Sequence, residues 1–370
     1  MKFSVRFVVP RFAPNIGGVE TRVEEIATRL SGKGLAVEVC AFDKNEVTKH
    51  YPVTGGFQVR RFRAIAPNDA YYLPSLSFCG WARRHPVDIL DIQNIHALPA
   101  FVAGLSRSKS ERVCVTPHYH GQGHTQLRKI LFRGFKNLAK LVVERCDSIV
   151  CVSETEKSLV EHDFAQAKRK IVVIPNGVNY VELDRYPWNG TSRQKSLLYV
   201  GRLEKYKNVD ALIRAARILR ERYEDTFRVT IIGSGPHEAA LRVLCIDAGL
   251  GDLVDWMPRV TREQLLQRYQ SASLFVTLSE HEAYSLTVAD AIALGLPTLV
   301  PKVGVFANYV NRGLAHGVDS PISAEQVAEK LHQILQDPIS YCRREESKRC
   351  FLSWDEVATE TLSTYTSLSR

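Results

Sequence analysis

SEHEAYSLTVADAIALGLP, Ser279 to Pro297, sets two carboxylates, Glu282 and Asp290, on either side of seven residues in which a loop turns into a helix. A helix N-terminus presents unpaired backbone N–H groups and the positive end of its dipole, which suits an anion such as a phosphate. The helix is expected from near Ala283, so the backbone amides of Ser285 and Leu286 would meet that anion and Asp290 would lie about two turns along. Glu282 and Asp290 would accept hydrogen bonds from hydroxyl groups. An isolated pair of this kind is more often a loop charge and a solvated helix residue, so its meaning rests on the rest of the chain.

Outward from this stretch, short apolar runs alternate with helical patterns. Strands are expected at Ser4–Val9, Ala36–Phe42, Asp88–Ile92, Arg112–Thr116, Ser148–Val152 and Ile171–Ile174, with helices starting near Gly18, Ser75, His96, Gln126 and Ser153. At Pro175 the pattern breaks into PNGV and a polar stretch holding Pro187, Asn189, Gly190, Thr191 and Ser192, which reads as a linker. Strands resume at Leu197–Val200, Arg228–Ile232, Leu253–Trp256, Leu274–Thr277 and Pro297–Val300, with helices from near Asn208, Pro236, Thr261 and Ala283 and later ones over Ser323–Leu335 and Trp354–Leu368. Length and composition, 370 residues of which 45% are hydrophobic, suffice for two cores. The fold class is therefore α/β, with two Rossmann-like doubly wound parallel-sheet domains over residues 1–180 and 181–353.

Three further stretches accompany the opening one. GRLEKYKNVDALIRAARIL, Gly201–Leu219, carries Arg202 and Lys207 between a strand and a helix; PNIGGVETRVEEIATRL carries Gly17 and Gly18 after the first strand; TPHYHG, Thr116–Gly121, carries His118. Together, and in this order, they resemble glycosyltransferase family 4, whose E-x7-E signature the opening segment matches. The resemblance implies the GT-B architecture, with the two domains facing a central cleft. The N-terminal domain would bind the acceptor, the C-terminal one the nucleotide-sugar donor, and a last helix, about 354–370, would pack back on the first domain. It implies retaining transfer of a hexose-type sugar from a nucleoside-diphosphate sugar to a glycan or lipid-linked acceptor, with the departing phosphate taking the acceptor's proton on the same face.

On the same resemblance, His118, Glu282, Arg202 and Lys207 are the catalytic candidates. Gly17, Gly18, Arg202, Lys207, Glu282, Ser285, Leu286 and Asp290 are the donor-binding ones. Arg202 and Lys207 would neutralise the diphosphate, Glu282 would hold sugar hydroxyls, Asp290 ribose hydroxyls, and His118 would stand beside the donor sugar. Two departures bear on nucleotide choice: Asp290 replaces the usual second glutamate, and Pro258 stands where glycine is common and lacks a backbone N–H.

Other chemistries fit less well. Metal-dependent transferases commonly use D-x-D, and no two aspartates here have that spacing, so no metal and no cofactor is expected. The G-x-G-x-x-G fingerprint is missing after Val9, with only Gly233-Ser234-Gly235 as a fragment, and no G-x-x-x-x-G-K-S/T loop occurs, which disfavours NAD enzymes and triphosphatases. Eight cysteines show no C-x-x-C pairing and read as reduced core thiols. Arg6 and Arg11 interrupt the first apolar run, and no window has the length of a membrane span, so the chain is expected to be cytoplasmic. Residues 1–180 hold 26 Lys and Arg against 16 Asp and Glu, leaving 23 against 24 beyond. Much of that excess sits in a basic amphipathic helix over residues 126–143, which either packs in the core with solvated cations or meets an anionic membrane face peripherally. No motif for nucleic acid accompanies the charge. A sugar-nucleotide epimerase, a phosphorylase, or a non-catalytic nucleotide-sugar-binding protein are the alternatives on the same fold.

Overall fold

The computed structural model describes residues 3–43, 55–65, 73–74, 76–121, 126–190, 194–224, 226–342 and 349–368, with backbone only for 73, 74, 76 and 126–135. It forms two compact units, one of residues 1–177 and 352–370, the other of residues 178–351.

The first unit runs β1 Ser4–Val8, α1 Gly18–Gly32, β2 Ala36–Asp43, β3 Gln58–Ile65, β4 Leu73–Pro74, α2 Leu76–Arg84, β5 Ile89–Gln93, α3 Leu98–Ser106, β6 Arg112–Thr116, α4 Gln126–Arg145, β7 Ser148–Cys151, α5 Glu154–Asp163 and β8 Ile171–Val173, and it takes in a last helix, Trp354–Leu368. Seven parallel strands lie in the order β3-β2-β1-β5-β6-β7-β8, with β4 antiparallel on the edge beyond β3. Apolar residues of β1 and β5 are fully buried, as strands covered by helices on both faces require. Arg6, inside β1, is nonetheless 1% exposed: Glu38 accepts from its Nε at 2.6 Å and Glu111 lies 3.6 Å away, so the charge is buried as a pair. Arg6 and Arg60 also place their guanidinium groups 4.5 and 4.6 Å from the centroid of the Trp81 ring. Those contacts let the arginine-rich β3 join the sheet, a strand absent from the expected set because its charges mask the alternation.

The second unit begins with α6 Tyr180–Leu183 and continues through β9 Lys195–Val200, α7 Val209–Tyr223, β10 Phe227–Ile232, α8 Glu238–Asp247, β11 Val254–Met257, α9 Arg262–Ser271, β12 Leu274–Val276, α10 Leu286–Ala293, β13 Thr298–Pro301, α11 Gly304–Asn311, β14 His316–Val318 and α12 Ala324–Gln336. Its six strands are parallel, in the order β11-β10-β9-β12-β13-β14. Helix α7 buries Val209, Leu212, Ile213, Ala216 and Leu219 at helical spacing, and each of its leucines is a site where truncation to alanine costs about 2–5 kcal/mol. Helix α9 closes its N-terminus with a reciprocal Thr261/Gln264 capping box. The stretch after Val178, expected to be a linker, belongs to this unit: Trp188 is 5% exposed and its indole N–H donates to the Ala272 carbonyl at 2.7 Å. Thr191 and Ser192 lie outside the described residues.

Both sheets switch direction once. In the first unit the switch lies between β1 and β5, in the second between β9 and β12, and the loops leaving such neighbouring strands at their carboxyl ends form the binding crevice of open α/β sheets.

Candidate active site

In the second unit the two loops at the switch point carry the expected residues. After β9, Gly201 to Asn208 holds Arg202 and Lys207; after β12, residues 277–285 lead into α10. The loops are tied together, since Glu280 N–H donates to the Tyr206 carbonyl at 3.0 Å and Asn208 Nδ2 donates to the Leu278 carbonyl at 3.1 Å. Between them the Lys207 ammonium donates to Glu282 Oε1. Burial opposes the charge on Lys207, yet the adjoining Glu282 carboxylate and the Tyr206 ring hydroxyl outweigh it and hold the amine above its ordinary range. Lys207 is therefore a fixed cation, 13% exposed, whereas Arg202 is 52% exposed and paired at 3.0 Å with Glu204.

Helix α10 starts at Leu286, three residues later than expected. Ser285 causes the shift: its φ of 73° is left-handed and cannot continue a helix. Its side chain does not cap the helix, and the first turn contains no acid, so no side-chain carboxylate of the same turn competes for its N–H groups. Asp290 consequently lies little more than one turn in. It is 8% exposed and accepts from Arg262 at 2.6 Å, while Arg262 Nε reaches Glu182 at 2.9 Å. Burial raises the Asp290 carboxyl above its usual range, and Arg262 partly offsets that. Arg262 was not among the expected residues; it sits 28 positions from its partner, and only the packing of α9 beside α10 brings them together. Gly233 was dismissed with its fragment, but at φ 138° a Cβ there would lie 1.9 Å from the Gly201 carbonyl oxygen, so the loop after β10 can press against the Arg202 loop only as glycine.

In the first unit, Gly17 precedes α1 in an extended conformation and Gly18 opens the helix. A side chain at Gly17 would meet the flexible end of Glu20, which pairs with Arg11 at 2.5 Å. His118 follows β6 with φ 50°, half-buried, its Nε2 2.9 Å from Gln93 Oε1. Burial, then the nearby Arg22 and His120, push the imidazole down to about 3, so it is neutral near pH 7. The loop is pinned from behind by Glu156, which accepts from the Tyr119 and Val152 amides at 2.5 Å each and is raised to about 7 by burial. Arg22, 1% exposed, donates to Asn176 Oδ1 at 2.7 Å. Six non-glycine residues have positive φ among the described residues: His118 is one of them in the first unit, and Asn208 and Ser285, which flank the two switch-point loops, are two of them in the second.

The sheets and loops match known proteins. The family model described as Glycosyltransferase Family 4 matches residues 16–182, and the one described as Glycosyl transferases group 1 matches residues 182–350. An uncharacterized glycosyltransferase of Methanocaldococcus jannaschii is 27% identical over 60% of this chain and 60% of its own length. A D-inositol 3-phosphate glycosyltransferase of Nocardiopsis dassonvillei is 24% identical over 94% of this chain and 89% of its own. Among solved structures, Anabaena HepE in complex with UDP-glucose superposes with a TM-score of 0.77 at 15% identity, covering 99% of this chain and 100% of that one. The two models between them span residues 16–350, and the chain belongs to glycosyltransferase family 4 with the GT-B fold.

Proposed function

We propose that this glycosyltransferase is a retaining, metal-independent hexosyltransferase that draws on a UDP-linked hexose. The observation that carries the reading is the pairing of a fixed cation, Lys207, with the acid-free N-terminal turn of α10 on two loops bound to one another. A diphosphate placed there meets an ammonium and backbone dipoles already oriented, which stabilises the charge that develops as the anomeric bond breaks. Arg202, more exposed, closes on the phosphate from the same loop. Glu282 takes sugar hydroxyls, Asp290 with Arg262 takes the ribose, and Gly17 and Gly18 let the backbone approach substrate. His118 of the first unit serves the sugar as a neutral imidazole. The choice of UDP is supported by the UDP-glucose bound in the Anabaena protein, and retention by the family.

The acceptor is a glycan or a lipid-linked one, on the cytoplasmic side of a membrane. Among the described residues no helix is long and apolar enough to cross a membrane. The described half of α4 lends little to a lipid surface: Lys136 and Lys140 pair with Asp163 and Glu144, and Ala139, Val142 and Val143 are in the core. Arg128, Lys129 and Arg133 have side chains outside those described.

One experiment tests the reading. UDP-glucose, UDP-galactose and GDP-mannose are incubated with the protein and EDTA, with lipid vesicles carrying glycan acceptors or without, and nucleoside diphosphate release and the anomer formed are followed. Release of UDP in EDTA with the anomeric configuration kept is expected. A strict requirement for added Mg²⁺ or Mn²⁺, or an inverted product, overturns it.

A further inference from the structure

Behind His118 a line of buried polar groups crosses the first unit. Asp91 and Gln93 lie two apart on β5 and so share a face of the sheet, and Gln93 is in register with Thr116 of β6. Gln93 Nε2 donates to Asp91 Oδ1 at 2.6 Å and to Thr116 Oγ1 at 3.1 Å, while the hydroxyl of Tyr365, on the last helix, donates to Asp91 Oδ2. Asp91, Gln93, Thr116 and Tyr365 are each 2% exposed or less, and the Cys114 thiol and the Arg22 guanidinium stand beside the Asp91 carboxylate. Nothing in the transfer chemistry calls on this carboxylate, which is costly to bury.

We infer that the Tyr365–Asp91–Gln93 line is a tautomer lock for His118, which leaves Nδ1 as a bare acceptor for a hydroxyl of the substrate. The logic follows from what each group can do. An ionised Asp91 only accepts, so Gln93 turns its NH₂ toward Asp91. Its carbonyl oxygen is then the atom facing His118, and that oxygen also only accepts. Nε2 of His118 must therefore carry the proton, and the neutral ring keeps its lone pair on Nδ1. Tyr365 holds the far oxygen of Asp91 so that the amide meets the near one. Burial raises Asp91 to about 6, so the lock is set at pH 7.5. Tyr365, Asp91 and Gln93 are positioning residues that act through His118. The part that concerns substrate rests on the proposed role of His118 in sugar transfer; the lock itself does not.

The test reads the tautomer directly, by long-range ¹H–¹⁵N correlation of the histidine rings at pH 7.5 in the full chain, the His118 signals being assigned by their loss in His118→Gln. The wild type should show Nε2 protonated and Nδ1 bare. In Asp91→Asn the new amide can donate to Gln93, which turns its own NH₂ to His118 and forces the proton to Nδ1. The pattern should invert, and UDP release from UDP-glucose should fall about tenfold or more in kcat with KM within about twofold. Tyr365→Phe leaves Asp91 as an acceptor, so it should keep the wild-type tautomer. Should Asp91→Asn fail to fold, Gln93→Leu serves: the hydrogen-bonded Nε2 proton should disappear. An unchanged pattern in Asp91→Asn, or a surviving Nε2 proton in Gln93→Leu, overturns the lock. Inversion with undiminished kcat upholds the lock and overturns the role given to His118 in transfer.

Discussion

Lys207 and His118 hold opposite charge states for opposite reasons, and each state can be tested. Lys207 is kept cationic by Glu282, so on the proposed donor site Lys207→Ala would remove a charge from the phosphate and leave the Glu282 carboxylate, 20% exposed, without its partner. A fall in kcat of about 10²–10³ is expected from the loss of one oriented stabilising group, whereas the more exposed Arg202→Ala should cost about tenfold; turnover and calorimetric UDP affinity check both. His118 is kept neutral by burial, with a folded value of about 3 against 6.5 when unfolded. Between these values the unfolded chain binds a proton that the native state does not, so this residue makes stability fall as pH drops below 6.5. Asp91, raised to about 6, and Glu156, raised to about 7, act the other way, since the native state binds their protons first. Replacing His118 by glutamine removes only the first contribution. Relative to wild type, His118→Gln should therefore gain about 2 kcal/mol between pH 7 and pH 5, read from urea denaturation of the first unit.

Elements differ in how plainly the chain announces them. Strands such as Arg112–Thr116 and the helix Trp354–Leu368 lie where their apolar periodicity puts them, because burial on both faces of a parallel strand, or on one face of a helix, is written in consecutive residues. Gln58–Ile65 and His316–Val318 were not legible: the first carries three arginines, of which Arg60 lies over Trp81 and the buried Arg61 donates to the Ala13 carbonyl, partners distant in sequence, and the second has only three residues. Likewise the start of α10 turns on the backbone angle of Ser285, which no pattern of side chains encodes. The placement of candidate residues was legible where one loop holds them, as at Arg202 and Lys207, and pairings were illegible where distant elements meet, as at Arg262 with Asp290 or Tyr365 with Asp91. Gly233 shows the element scale at its tightest. A methyl group at 1.9 Å from the Gly201 carbonyl, in a conformation L residues rarely adopt, must displace the loop after β9. Gly233→Ala should cost about 3 kcal/mol or more and weaken UDP binding along with it, by thermal melting and calorimetry.

For the molecule as a whole, two units with separate cores imply two cooperative transitions, and a nucleotide gripped by the loops of one should shift that one. At a hundredfold excess over its dissociation constant, UDP should stabilise residues 178–351 by about 2.7 kcal/mol and leave the sheet of the first unit unchanged. Hydrogen exchange resolved by segment would reveal this, and equal protection of β1, β5 and β6 would count against a donor site confined to the second unit's loops.

The first unit is built from two separated pieces of chain, and the second from one continuous piece between them. Gly177 meets the start of the last helix so closely that a Cβ there would be 2.7 Å from the Trp354 nitrogen, and Tyr365 reaches the Asp91 carboxylate inside the sheet. During translation the intervening segment can therefore complete its core while still tethered to the ribosome. The earlier segment, already synthesised, must wait with an unsealed flank until the final helix leaves the exit tunnel.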